Sequence, residues 1–123
     1  MSIAFLTSDL VFPSRVAGVA QQLGWQMFTA ATADALLEKM TTEAAVVVIL
    51  DLNTPQVDPA TLVPCLKALP IPPRAIIAFG PHVHEAKLAA AQAAGCNFVL
   101  TRGQFDAQMQ SLLAQIRSSS EQP

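Results

Sequence analysis

Charge is scarce in this chain. Charged residues make up 13% of its 123 residues, and Lys and Arg total 7 against 9 Asp and Glu. No stretch is strongly basic and the formal charge is −2, so a nucleic acid is excluded as a partner, because its phosphate backbone requires clustered cations. Cysteine is scarce too. Cys65 and Cys96 are far apart and match no CxxC spacing, so they read as reduced core thiols. His82 and His84 lie close together without Cys partners, which leaves no zinc pattern. No apolar run reaches the length that a bilayer demands. Met1-Ser2-Ile3-Ala4 lacks the basic start of a secretory signal. These absences predict a cytoplasmic protein with no membrane partner. Phosphate-handling loops are missing as well: there is no GxxxxGKS/T loop, no GxGxxG after the first apolar run and no GxSxG elbow. Nucleotide hydrolysis, dinucleotide binding and serine hydrolysis are thereby unsupported. What is abundant is apolar sequence, 52% of the chain, in a length that suits one domain with a real core.

The apolar sequence falls into short runs. Ala45 to Leu50 is unbroken, and Val46, Val47, Val48 and Ile49 are β-branched. That pattern predicts a central strand buried on both faces. Asp51 is the first charge at its C-terminal end, and Asn53-Thr54-Pro55 turns the chain. Ligands of open α/β sheets bind at that end. Position alone leaves Asp51 either a site residue or a turn former.

Strands are also predicted at 3–7, 25–29, 75–79 and 97–100. Between them lie helical stripes. Val16, Val19, Ala20 and Leu23 form one, and Ala33, Leu36, Leu37 and Met40 form another behind an N-cap at Thr32. Asp58-Pro59 is a good helix start, but Pro64 either kinks that helix or begins it. Alanine dominates 83–94, with Gly95 as its cap. A loop is expected over Thr101-Arg102-Gly103. Phe105, Met109, Leu112, Leu113 and Ile116 then carry the last stripe. Residues 1–118 are expected to form a single domain and 119–123 a polar tail that frays.

Five strands alternating with five helices predict an α/β fold, a doubly wound five-stranded parallel sheet of order 2-1-3-4-5. Strands one and three flank its switch point. Asp9 follows one and Asp51 ends the other, so two carboxylates are expected in one crevice. Hard oxygen ligands at such a place suit magnesium.

The segment Val46 to Pro55 is similar to the sequence around the phosphoacceptor aspartate of the receiver domains of two-component response regulators. Ala94-Gly95-Cys96-Asn97-Phe98 resembles that family's stretch leading into its fifth strand. The resemblance covers about 3–117. It implies a flavodoxin-like (βα)5 fold with Asp51 as phosphoacceptor. It further implies Asp9, Asp51 and the Asn53 carbonyl as magnesium ligands. The chain also departs from the family. Ser8-Asp9 replaces two adjacent acids, and Gly80 stands where the family has Ser or Thr. Thr101 takes the place of the Lys, followed by Arg102 and Gly103-Gln104 rather than Pro. Phe98 takes the aromatic switch position. These changes imply weak magnesium binding, with phosphorylation impaired or absent. Arg102 is a potential phosphate contact, but a solvated loop charge is the better expectation.

The resemblance therefore implies a stand-alone atypical receiver, or pseudo-receiver, and not an enzyme. It is expected to act by protein–protein interaction through its fourth helix, fifth strand and fifth helix. A histidine kinase, a phosphotransfer protein or an output protein is the implied partner, with a homodimer also open. The alternative is a small flavodoxin-like ligand- or cofactor-binding domain using the same crevice. His82 and His84 are expected on the surface, in the first turn of the fourth helix.

Overall fold

The computed structural model describes residues 1–121. Strands and helices alternate as β1 (Ser2–Leu6), α1 (Phe12–Gln22), β2 (Gln26–Ala30), α2 (Ala33–Thr42), β3 (Val47–Asp51), α3 (Pro59–Lys67), β4 (Ala75–Gly80), α4 (Glu85–Ala94), β5 (Phe98–Thr101) and α5 (Arg102–Glu121). All pairings are parallel, and the order is β2-β1-β3-β4-β5. The doubly wound sheet expected from the sequence is the fold.

The sheet divides the core by strand alternation. In β3, Val47 and Ile49 join Phe5, Phe12, Val16, Phe79, Phe105 and Leu113 on the face covered by α1 and α5. Val48 and Leu50 join Leu36, Met40, Leu62, Leu66 and Ala91 on the face covered by α2, α3 and α4. Every residue of β3 is buried. That explains its unbroken apolar run, because both of its faces need cover. Burying each large side chain contributes about 1.5–3 kcal/mol.

Local signals fix the helix ends. The Thr32 side chain accepts a hydrogen bond from the Ala35 N–H at 3.1 Å. Asp58 accepts from the Ala60 N–H at 3.1 Å and the Thr61 hydroxyl at 3.0 Å. Gly95 ends α4 with a φ of 97°, a conformation that a side chain disfavours.

Two sequence expectations are revised. Pro64 neither starts nor breaks α3, which runs through it from Pro59 to Lys67. Proline deletes one internal hydrogen bond, while Leu62, Val63 and Leu66 remain buried and hold the helix. No loop separates β5 from α5. The Thr101 N–H donates to Gln104 Oε1 at 2.9 Å, and the Gln104 N–H donates to Thr101 Oγ1 at 3.2 Å. This reciprocal capping box starts the helix at once. The last helix, α5, runs on to Glu121; Gln122 and Pro123 of the expected tail lie outside the described residues. Among the described residues, no helix is long and apolar enough to cross a membrane.

Candidate functional site

The C-terminal ends of β1, β3, β4 and β5 lie side by side, and the candidate residues gather there. Asp51 is the last residue of β3 and is 3% exposed. Its Oδ2 accepts a hydrogen bond from the Thr7 hydroxyl at 2.7 Å, and its Oδ1 accepts from the Asn53 N–H at 3.0 Å. Both oxygens therefore have a donor. Thr7 is itself buried and directly follows β1. Leu6 pairs with Leu50, so the next step along both strands sets Thr7 opposite Asp51. Thr7 Oγ1 in turn accepts from the Asp9 N–H at 3.0 Å. Sequence reasoning passed over Thr7 because it looked like the end of a strand. The available signal was its register, one step beyond the apolar run, as Asp51 is.

Asp9 has different partners. Its Oδ1 accepts from the Val11 N–H at 2.8 Å and the Phe12 N–H at 3.1 Å, at the start of α1. Its Oδ2 binds Arg102 Nη2 at 2.9 Å. The Arg102 hydrogen bond, followed by the two backbone donors, lowers the Asp9 pKa from 3.8 to about 2. Arg102 is the first residue of α5, and its guanidinium lies 4.5 Å from the Phe12 ring centroid. It opens a helix instead of lying in a loop, and it is paired and stacked while its side chain stays 44% exposed. Asp9 and Asp51 do gather at one end of the sheet, but they are linked through Thr7. The carboxylate of Asp9 is held by Arg102 and that of Asp51 by Thr7.

The remaining positions show why the crevice is tight. Ser8 is exposed, and Asn53 is exposed while its N–H reaches Asp51. Gly80 is buried at the end of β4 and pairs with Thr101. A Cβ built on Gly80 would stand 3.3 Å from Leu52 Cβ and 3.9 Å from Leu88 Cδ2. Thr101 spends its hydroxyl on the α5 cap. Phe98 is half-buried in β5 beside Ile77. Lys87, which the sequence did not single out, reaches across from α4 and donates to the Leu52 carbonyl at 3.2 Å. His82 is exposed. His84 is half-buried at the N-cap of α4, so both precede that helix. Cys96 is buried, and burial raises its thiol pKa. Cys65 is exposed on α3 rather than in the core, because it faces away from Leu62, Val63 and Leu66.

The donor set does not fit magnesium as these side chains stand. Asp51 has both oxygens engaged, and Asp9 already accepts from two backbone amides and a guanidinium. A divalent cation that used Asp9 would have to displace Arg102. Among the described residues, no group of three His, Cys, Asp or Glu side chains could hold a metal ion.

Protein-family models give no match to the chain, and neither do curated proteins. Solved structures do match. A signal receiver domain of a response regulator from Bermanella marisrubri is 19% identical with a TM-score of 0.81, over 94% of this chain and 96% of that one. A CheY-like response regulator receiver domain from Methylobacillus flagellatus is 20% identical with a TM-score of 0.78, over 94% and 98%. The receiver domain of a sensor histidine kinase from Pseudomonas aeruginosa is 17% identical with a TM-score of 0.76, over 93% and 94%. The last structure has a magnesium ion coordinated in its active-site cleft. The chain thus has the receiver-domain form of the flavodoxin-like fold.

Proposed function

We propose that this chain is a receiver-like signalling domain that works by engaging a protein partner, with Asp51 at the acceptor position and its phosphorylation impaired. The observation that carries this reading is the state of Asp51. The residue sits at the strand end where receivers accept a phosphoryl group, yet it is 3% exposed and bonded through both oxygens. Attack on phosphorus requires a free carboxylate oxygen in line with the leaving group. Here each oxygen already accepts one hydrogen bond, from Thr7 or from the Asn53 amide, which weakens it as a nucleophile, and burial restricts access to its remaining lone pair. Nor is there a hydroxyl at Gly80 to hydrogen-bond a phosphoryl group on Asp51, and Arg102 is engaged by Asp9. Magnesium would bind weakly for the same reason.

The partner-facing surface on this reading is α4, β5 and α5. β5 is an edge strand whose four residues are all half-buried, and α4 buries Ala91 alone among its residues. A histidine kinase, a phosphotransfer protein or an output protein is the class of partner. The test is to incubate the protein with magnesium and a small acyl phosphate and then weigh it. The expected result is little added phosphoryl mass, and none in Asp51→Asn. Rapid, complete phosphorylation would overturn the impaired state. Strong thermal stabilisation by a nucleotide or flavin, with no phosphoryl mass, would favour the ligand-binding alternative.

A further inference from the structure

We infer that the Arg102 guanidinium is a built-in counter-cation that closes the crevice in the role a divalent metal would otherwise fill. It is a positioning residue, acting on Asp51 through Asp9 and Thr7. The linkage is continuous. Arg102 binds Asp9 Oδ2 at 2.9 Å. The Asp9 N–H donates to Thr7 Oγ1 at 3.0 Å. That leaves the Thr7 proton for Asp51 Oδ2 at 2.7 Å. The Asp51 carboxylate can only accept, so the hydroxyl donates inward, and the rim pair holds Asp9 in the position from which its N–H meets the Thr7 oxygen.

Arg102 has anchors besides Asp9. Its guanidinium lies over Phe12. Phe12 meets Phe79 edge-on at 5.4 Å and Phe105 at 5.9 Å, both in the core. The Arg102 backbone is set by the Thr101–Gln104 capping box. A cation held this way competes for Asp9 at the high effective concentration of a tethered group, which a free ion lacks. The position is otherwise unfavourable, because Arg102 opens a helix and the helix dipole disfavours a cation there. Asp9 offsets that cost, so each charge accounts for the other.

Only the choice of magnesium as competitor rests on the receiver-like reading. The test omits any phosphoryl donor, so its failure is separable from failure of that reading. Isotope-labelled wild type, Arg102→Met and Arg102→Lys are titrated with magnesium chloride at constant ionic strength. The amide resonances of Ser8, Asp9 and Asn53 are followed. Wild type should show no saturable shift at millimolar magnesium. Arg102→Met should show one, with affinity at least about tenfold higher, as expected when a competing charge is removed. Arg102→Lys should restore exclusion, and Asp9→Asn added to Arg102→Met should abolish the gain. A merely structural role for Arg102 predicts no gain of metal affinity in the Met variant. Saturable shifts in wild type, or none in Arg102→Met, overturn the inference.

Discussion

Asp9 follows β1 and Asp51 ends the neighbouring strand β3, yet opposite means hold their carboxylates. Asp51 is buried and is bonded by two neutral donors, a hydroxyl and a backbone amide. Asp9 lies at the rim, where it meets a guanidinium and two amides at the start of a helix. Inside the protein, a carboxylate whose lone pairs lack donors is costly, so directed hydrogen bonds matter most there. At the rim, water screens the ion pair, and its contribution is modest. The two acids therefore divide the work. Asp51 depends on local geometry, and Asp9 ties separate elements together.

Removing the Thr7 hydroxyl should have the largest effect. Thr7→Val keeps the shape of the side chain but leaves Asp51 Oδ2 buried without its donor. We expect a loss of about 1–3 kcal/mol, read from urea unfolding. Asp51→Asn should cost less, because the amide can donate to Thr7 while its oxygen still accepts from Asn53. If Thr7→Val proved as mild as breaking the exposed Arg15–Asp106 pair, at 3.0 Å, burial would not separate the two acids.

The fold was legible because its signals are local and redundant. β3 shows as β-branched residues in an unbroken run, and α5 as Phe105, Met109, Leu112, Leu113 and Ile116, all of them buried. Asp51 was legible as the charge that ends such a run. The site's internal bonds were not. Thr7 matters through register across two strands, and Arg102 through a contact 93 positions away. Neither is visible in spacing along the chain. The start of α5 was different: Thr101-x-x-Gln104 is a capping signature in plain sequence, masked by the reading of Thr101-Arg102-Gly103 as a loop.

A smaller effect is expected from Gly80→Thr, which places a hydroxyl where the family resemblance calls for one. Its Cβ would crowd Leu52 Cβ at 3.3 Å, in a buried position. Leu52 is fully buried and has little room to retreat. A net loss of about 1 kcal/mol is expected, overpacking being partly offset by the gain over glycine in a strand. The urea midpoint reads this directly. A stabilised Gly80→Thr would mean that the space beside Asp51 is open enough for a third donor, and the contrast would then be one of chemistry rather than of packing.

The smallest effect belongs to Asp9, and pH isolates it. Its pKa falls from 3.8 to about 2, chiefly through Arg102. A carboxyl with a depressed folded pKa stabilises the fold fully above its unfolded value. That contribution declines as pH falls from 3.8 through about 2, where the folded protein also takes up the proton. Asn at position 9 can still accept the Val11 and Phe12 amide protons, so Asp9→Asn removes the charge and spares the helix start. The gap in urea midpoint between wild type and Asp9→Asn should be present near neutral pH, shrink through this window and close below it. Added salt should narrow it near neutral pH as well, because the Asp9–Arg102 pair is partly solvated. A gap that stays constant across the window and ignores salt would mean that the substitution acts through packing. Asp9 would then resemble Asp51, and the division between a rim charge and an interior hydrogen bond would fail.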